Sequence, residues 1–317
     1  MNRHPHWASF VVVLGMLVFW KTDAAAAADR FALVVGVNEC PDFRFPDGTR
    51  PLALRGAESD ATAVAEILVR QFAFPRDHVR LLKGAEATHD KLQAAFKASI
   101  GAVGRQDVFV FYFSGHGTQV PDRPPYDEPD GLDEALCPYD ATADGGHLVL
   151  DDELGLWLDD MPARDVTVVL DCCHAGTGIK DADDDLAARY LPIPRPAAAN
   201  ARQDVQPWRD LRPATKTLGR QVTAFYACHP EQQAYERRLP QQAKPARSGQ
   251  FTHYFLAGLS GGHADANGDG VITQQEAFDY AHRRLDETFN RLRTAPGDRQ
   301  QPLLETDVPA APLFGRR

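Results

Sequence analysis

The sequence predicts an α/β fold in which helices cover both faces of a mostly parallel sheet. Two runs of β-branched and aromatic residues, 107–113 and 166–171, are each followed by a short motif containing glycine. Such runs are typical of strands that are buried on both faces. Further strand patterns at 30–38, 78–82 and 221–227 alternate with helical patterns. This alternation indicates parallel strands joined by helical crossovers.

The helices are predicted from apolar residues spaced three and four positions apart. They cover 53–71, 88–100, 154–158, 251–259 and 274–292. Thr88 is expected to cap the second of these helices. Residues 181–218 lack any such period and are rich in Asp, Pro, Ala and Arg. Forty residues without a pattern are long for a loop in a compact domain, so a flexible joint or a disordered linker is expected there.

A histidine and a cysteine follow the two apolar strands. His116 lies in the motif SGHG after the first strand, and Cys173 lies in DCCHAG after the second. Ligands of parallel sheets bind beyond the carboxyl ends of the strands, and a thiol beside an imidazole can attack a carbonyl group. Each residue alone has an ordinary explanation, a surface histidine or a small buried cysteine. Together, at two adjacent strand ends, they predict a catalytic pair.

The two motifs resemble the active-site motifs of metacaspases and their bacterial relatives, a group of caspase-like cysteine peptidases. The match includes FYFSGHGTQ and LDCCHAG, and the segments 54–61, 130–140 and 150–154 also resemble the family in its order. The resemblance runs from about residue 30 to residue 259. It implies a caspase-like fold and a cysteine endopeptidase activity, with 181–218 as the joint between large and small segments. Basic residues of that joint are then candidate processing sites: Arg189, Arg195, Arg202 and Arg209.

The chemistry assigns roles to the two motifs. Cys173 is expected to attack the peptide carbonyl, His116 to deliver a proton to the leaving amine, and the amides of Gly117 and Cys173 to hold the oxyanion. The resemblance places Cys173 on the catalytic position and Cys172 on a serine of the family pattern. The neighbouring thiol leaves open a strained bridge between the two cysteines.

Substrate specificity follows from the same resemblance. Asp60 and Asp171 fall on the acidic residues of the primary pocket, and Ser114 falls near it. Two carboxylates in a partly buried slot favour Arg or Lys through charge-assisted hydrogen bonds. The expected substrate is therefore a peptide or protein cut after a basic residue. An exposed helix position remains the alternative for Asp60.

A calcium loop is predicted near the carboxyl terminus. Residues 265–276 fit the EF-hand pattern at each diagnostic position. The expected ligands are Asp265, Asn267, Asp269, the carbonyl of Val271, Thr273 and Glu276. Glycines 261 and 262 weaken the incoming helix, which favours a structural calcium clip. By resemblance, a second calcium site involves Asp133, Asp151 and Asp152, with a solvated acidic loop as the alternative.

The amino terminus resembles a secretory signal peptide. A thirteen-residue apolar run, 8–20, is followed by small residues up to position 28, and the run is short for a membrane span. We therefore expect export to the periplasm or outside the cell, without stable membrane association after cleavage. An uncleaved anchor is the alternative. The odd number of cysteines, five, leaves at least one thiol free, and Cys173 is the candidate.

The predicted organisation has three parts. A signal peptide (1–28) precedes a peptidase domain (29–262), and 263–317 carries the calcium loop, a helix and a tail. The peptidase domain divides into a large segment 29–180, the joint 181–218 and a small segment 219–262. The net charge of −10 argues against nucleic acid as the main partner. The first competing function is a catalytically silent binding or scaffold module. A non-proteolytic thiol hydrolase ranks last, because no nucleophile-elbow motif surrounds Cys173.

Overall fold

The computed structural model describes residues 28–126, 128, 131–174, 186–193, 220–230, 232–239, 247–292 and 299–315. In chain order, its strands are β1 (Arg30–Gly36), β2 (Val79–Lys83), β3 (Val108–Ser114), β4 (Gly117–Pro121), β5 (Leu132–Leu136), β6 (Val149–Leu150), β7 (Asp165–Asp171), β8 (Leu186–Ala188), β9 (Gln221–Tyr226), β10 (Tyr235–Arg238), β11 (Arg247–Gly249) and β12 (Leu303–Thr306). Its α-helices are α1 (Ala57–Gln71), α2 (His89–Ala102), α3 (Asp151–Asp159), α4 (Gln250–Leu259) and α5 (Gln274–Thr288).

A six-stranded sheet forms the centre of the fold, in the order β12-β9-β7-β3-β1-β2. All its neighbouring pairs are parallel except β12 with β9. Every residue of β3 is buried, and successive side chains enter opposite cores, as the alternation of a strand requires. Phe111 packs on one face with Phe96 of α2, and Tyr112 lies on the face covered by α1 and α4. The predicted α/β fold is confirmed.

Most predicted elements are present with small shifts at their ends. The first helix begins at Ala57 and not at residue 53, because the Leu54 amide donates to the Asn38 carbonyl and holds that stretch extended beside β1. Thr88 is the N-cap of α2, but its side chain makes no capping hydrogen bond. The last predicted helix ends at Thr288, and a 3-10 turn at Asn290–Leu292 follows.

The carboxyl-terminal part shares one core with the predicted domain 29–262, although the sequence predicts a boundary at 263. β12 extends the central sheet by pairing with β9, and α5 packs along α4. Phe314 inserts its ring edge-on between Phe72 and Phe74. The sequence does not predict the pairing of β12, because this strand is short and only partly buried.

Two small antiparallel sheets stand beside the central one, and sequence patterns did not predict either of them. One has the order β4-β5-β6 and the other β11-β10-β8. β8 lies inside the joint 181–218 that the sequence predicts to be flexible or disordered. The prediction is therefore wrong for residues 186–193, which are ordered. The proposed signal peptide lies almost wholly outside the described residues. Within the described ranges, no helix is long and apolar enough to cross a membrane.

Candidate active site

The two predicted motifs meet at the carboxyl edge of the central sheet. Ser114 at the end of β3 is in register with Asp171 at the end of β7. The Gly115 amide donates to the Asp171 carbonyl at 3.3 Å, which ties the two exits together. His116 and Cys173 each lie two residues beyond this register pair, and both are buried. The sheet register therefore brings the histidine motif beside the cysteine motif.

A carbonyl group of the chain itself lies in the expected oxyanion position. The Arg189 carbonyl accepts from the Gly117 amide at 3.0 Å and from the Cys173 amide at 3.3 Å. The Arg189 amide donates to the Ala234 carbonyl at 2.9 Å, and the Cys173 thiol contacts the same oxygen at 3.9 Å. Two amides converging on one oxygen are the arrangement that stabilises a tetrahedral oxyanion. Arg189 therefore lies in the site as the residue before a cut would.

The side chain of Arg189 fills the predicted acidic slot. Its Nη2 lies 2.8 Å from Asp60 Oδ2, and its Nη1 lies 2.6 Å from Ser114 Oγ and 3.1 Å from Asp171 Oδ2. The guanidinium is completely buried. All three predicted pocket residues thus converge on one arginine. Sequence reasoning missed a third carboxylate, Glu236, whose Oε2 lies 3.9 Å from Nη2.

A second layer of hydrogen bonds fixes the two aspartates. The Ser248 hydroxyl donates to Asp60 Oδ1 at 2.5 Å, and the Gly249 amide donates to Asp60 Oδ2 at 2.8 Å. Both the amide and the hydroxyl of Thr252 donate to Asp171 Oδ2, at 3.1 and 2.6 Å. Sequence reasoning matched 248–252 to the family's small segment without seeing this role. Glycine at 249 is required by space, since a Cβ there would lie 2.1 Å from Asp171 Oδ2.

Burial and the neighbouring charges set the ionisation of the slot. Burial raises the pKa of Asp60 to about 6; Arg189 opposes this effect and Asp171 adds to it. Burial works to lower the pKa of Arg189, but Asp171, Asp60 and Glu236 outweigh it and raise that pKa. The slot thus holds one fixed positive charge against three carboxyl groups. Carboxyl groups in this arrangement stabilise the buried guanidinium of Arg189.

The predicted catalytic pair, His116 and Cys173, is buried and uncharged in this structure. Burial raises the pKa of the Cys173 thiol to about 12. Burial lowers the pKa of His116 to about 3, and the charge of Arg189 contributes. Neither ring nitrogen of His116 makes a hydrogen bond of ordinary geometry with the described residues. The imidazole is therefore neutral in this arrangement.

Cys172 lies on the other side of the strand end from Cys173. Its sulfur is 3.4 Å from His174 Nε2. Cys172 belongs to the apolar core on the α2 face of the central sheet, whereas Cys173 belongs to the core on the other face. Burial lowers the pKa of His174 to about 3, so this second imidazole is also neutral. All five cysteines are free thiols, and the bridge considered between Cys172 and Cys173 is absent. Cys173, whose amide donates to the Arg189 carbonyl, remains the predicted nucleophile.

Acidic side chains gather near the predicted second calcium site, with a different membership. Asp151, Glu128 and Glu134 bring ligand oxygens within 4.8 Å of one another. Burial, followed by these two glutamates and then Asp133 and Asp152, raises the pKa of Asp151 to about 9. Asp133 and Asp152, the predicted partners of Asp151, are close enough to raise its pKa but are not members of this cluster. Spacing along the chain missed both glutamates: Glu134 reaches Asp151 because β5 pairs with β6, and Glu128 lies in the loop before β5.

The predicted EF-hand loop is a tight turn that leads directly into α5. Asp265 accepts from the amides of Gly268 and Gly270, both at 2.8 Å, and Gly270 has a φ of 83°. Glu276 accepts from the Thr273 amide and forms a capping box with it. The preceding helix ends at Leu259, as the two glycines predicted. The loop thus has an outgoing helix but no incoming helix directly before it.

Comparison with known proteins agrees with these motifs. Residues 30–181 match the model of the metacaspase, peptidase C14 domain family. These residues, just under half of the chain, therefore resemble a metacaspase peptidase domain. This similarity indicates a hydrolase of the cysteine-type endopeptidase class.

Individual relatives of this chain align over different lengths. Metacaspase-3 of Arabidopsis thaliana is 28% identical over 261 residues, which cover 80% of this chain and 67% of that protein. Metacaspase-2 of the same plant is 28% identical over 71% of this chain and 54% of its own length. Metacaspase III c of Phaeodactylum tricornutum is 30% identical over 48% of this chain and 44% of its own. The matches thus span about half to two thirds of these relatives.

A solved structure supports the fold. The crystal structure of a protein from Geobacter sulfurreducens superposes with a TM-score of 0.56 at 24% identity, covering 88% of this chain and 93% of that one.

Proposed function

We propose that this metacaspase-type chain is an exported, calcium-associated cysteine endopeptidase that cleaves peptide bonds after arginine, and after lysine less readily. Its first substrate is its own bond between Arg189 and Tyr190. The observation that carries the proposal is the placement of Arg189, with its carbonyl between the Gly117 and Cys173 amides and its guanidinium against Asp60.

The chemical steps use only residues of the site. His116 takes the proton of the Cys173 thiol as the sulfur bonds to the Arg189 carbonyl carbon, and the two amides hold the resulting oxyanion. The bond to the Tyr190 nitrogen then breaks, and the imidazolium returns its proton to that leaving amine. Water hydrolyses the thioester with His116 as base. The carboxylic acid product leaves and the thiol is restored.

The preference for arginine over lysine follows from the shape of the slot. Two terminal nitrogens of Arg189 donate to different partners, Nη2 to Asp60 and Nη1 to Ser114 and the Asp171 carbonyl. A lysine ammonium is a single point of charge and cannot bridge both sides of the slot. Both cations are attracted, but arginine makes more charge-assisted hydrogen bonds.

Calcium is proposed at two places. At the EF-hand loop, Asp265, Asn267, Asp269, the Val271 carbonyl, Thr273 and Glu276 offer the hard oxygens that Ca²⁺ prefers. At the second place, Asp151 Oδ1 is buried without a hydrogen-bond partner among the described residues. A divalent cation there would neutralise the crowded carboxylates of Asp151, Glu128 and Glu134. Export is proposed from the signal-like pattern of residues 1–28.

Self-cleavage provides a direct test. The full chain, kept at neutral pH with and without calcium, is expected to yield fragments whose masses place the cut after Arg189. Cys173→Ala should abolish the cut, and Arg189→Gln should abolish it at this position. Arg195→Gln is the matched control and should leave the cut unchanged. Fragments ending at other residues only, or cleavage by the Cys173→Ala protein, would contradict the proposal.

A further inference from the structure

We propose that the same site also selects the second residue after the cut, and that it takes a large apolar side chain there. This inference rests on the proposed peptidase function and adds to its preference for arginine. It names the substrate class as extended segments of the pattern Arg, any residue, then Leu or a similar residue.

The backbone after Arg189 is held on both sides of Leu191. The Leu191 amide donates to the Gly117 carbonyl at 2.9 Å, and the Leu191 carbonyl accepts from Thr118 Oγ1 at 2.5 Å. Tyr190 forms a parallel bridge with Gly117. The first residues of β4 thus act as a strand edge for the chain that leaves the cut. This is how extended peptides are recognised by strand addition.

The side chain at Leu191 is the deepest on this side of the cut. It is 1% exposed and joins the apolar core that also contains Leu136 and Cys172. Tyr190 before it and Pro192 after it are only partly buried. Burying a leucine side chain contributes a large favourable free energy to substrate binding. A charged side chain at this position would lose its hydration without gaining a partner. The second residue after the cut should therefore contribute to substrate choice.

The segment before the cut is held in the same manner. β8 pairs with β10 as the edge strand of its sheet, with Ala187 opposite Glu236. The Ala187 side chain packs in a small cluster with Leu54 and Ala57. Any substrate that replaces this segment meets the same edge of β10. Residues 186–193 therefore serve as a template for extended substrates on both sides of the cut.

Peptide kinetics test the inference in trans. The full-chain enzyme, after self-cleavage, is assayed with a quenched fluorescent peptide that copies residues 186–193. Replacing leucine at the Leu191 position by alanine should lower kcat/KM about tenfold, and by aspartate more. Replacing proline at the Pro192 position by alanine is the matched control and should change kcat/KM less than about twofold.

The outcomes separate the two proposals. Cleavage after arginine at equal rates in all these peptides overturns the inference and leaves the proposed function standing. Failure to cleave any of them, together with no cut after Arg189 in the full chain, overturns the proposed function itself. A tenfold loss confined to the leucine position supports both.

Thr118→Val provides an independent measurement. It removes the hydroxyl that donates to the Leu191 carbonyl while keeping the shape of the side chain. The ratio of kcat/KM on the eight-residue peptide to that on a short peptide with a fluorophore directly after arginine should fall about fivefold. The short substrate has no second residue after the cut, so a general structural defect would lower both values and leave the ratio unchanged. An unchanged ratio would contradict the role given to Thr118.

Discussion

Replacing Asp60 by asparagine should convert the slot into a poor arginine site. Asp60 Oδ2 lies 2.8 Å from Arg189 Nη2, and both side chains are almost completely buried. Removing one partner of a buried ion pair costs about 3–5 kcal/mol. The lower end applies here, because Asp171 and Glu236 still face the guanidinium. A loss of about 3 kcal/mol corresponds to a decrease of about 150-fold in kcat/KM.

The assay compares Asp60→Asn with wild type on a peptide cut after arginine, with Asp90→Asn as the control. Asn has the shape of Asp, so the Gly249 amide keeps an acceptor. The Asp90 side chain is 92% exposed, and its substitution should change kcat/KM less than twofold. Thermal unfolding of both variants tests whether the fold is retained. Activity of a folded Asp60→Asn protein within threefold of wild type would refute the assignment of this slot.

Three further predictions concern pH, space and calcium. Protonation removes the charge of Asp60, whose pKa is about 6 with an arginine in the slot, so kcat on arginine peptides should fall as the pH decreases through this value. A pH profile of kcat checks this, and the decrease should be absent in Asp60→Asn. Gly249→Ala places a Cβ 2.7 Å from Arg189 Nη1 and should abolish arginine cleavage, whereas Gly101→Ala, with nothing within 4 Å, should retain it in the same peptide assay. Calcium should raise the Tm of the wild type, and Glu276→Gln should reduce that shift, measured by calorimetry; an equal shift in both would exclude the loop as the main site.

The fold could be read from the sequence where local patterns are strong. The run 107–113 is apolar throughout, and the structure buries every residue of β3. The strands β8 and β12 escaped prediction because each is short, and each is stabilised by a partner distant in sequence. β8 pairs with β10 almost fifty positions away, and no periodicity within three residues can reveal such a contact.

The residues of the candidate site likewise include some that the sequence indicates and others that only the fold reveals. The motifs predict roles for His116, Cys173 and the Gly117 amide, because residue type and a glycine-rich strand end already indicate that chemistry. Glu236 and Thr252 were missed, since a carboxylate in a short strand and a threonine in a helix have many ordinary roles. Their function depends on what faces them across the slot.

The order of amino acids alone determined the apolar strands, the position of the thiol and imidazole at their ends, and the oxygen-rich loop near the carboxyl terminus, because each depends on neighbours within a dozen residues. Only the tertiary structure decided that Arg189 occupies the acidic slot. Its guanidinium meets Asp60, 129 positions earlier in the chain. A contact over that separation is set by sheet register and strand order, which emerge when the whole core packs together.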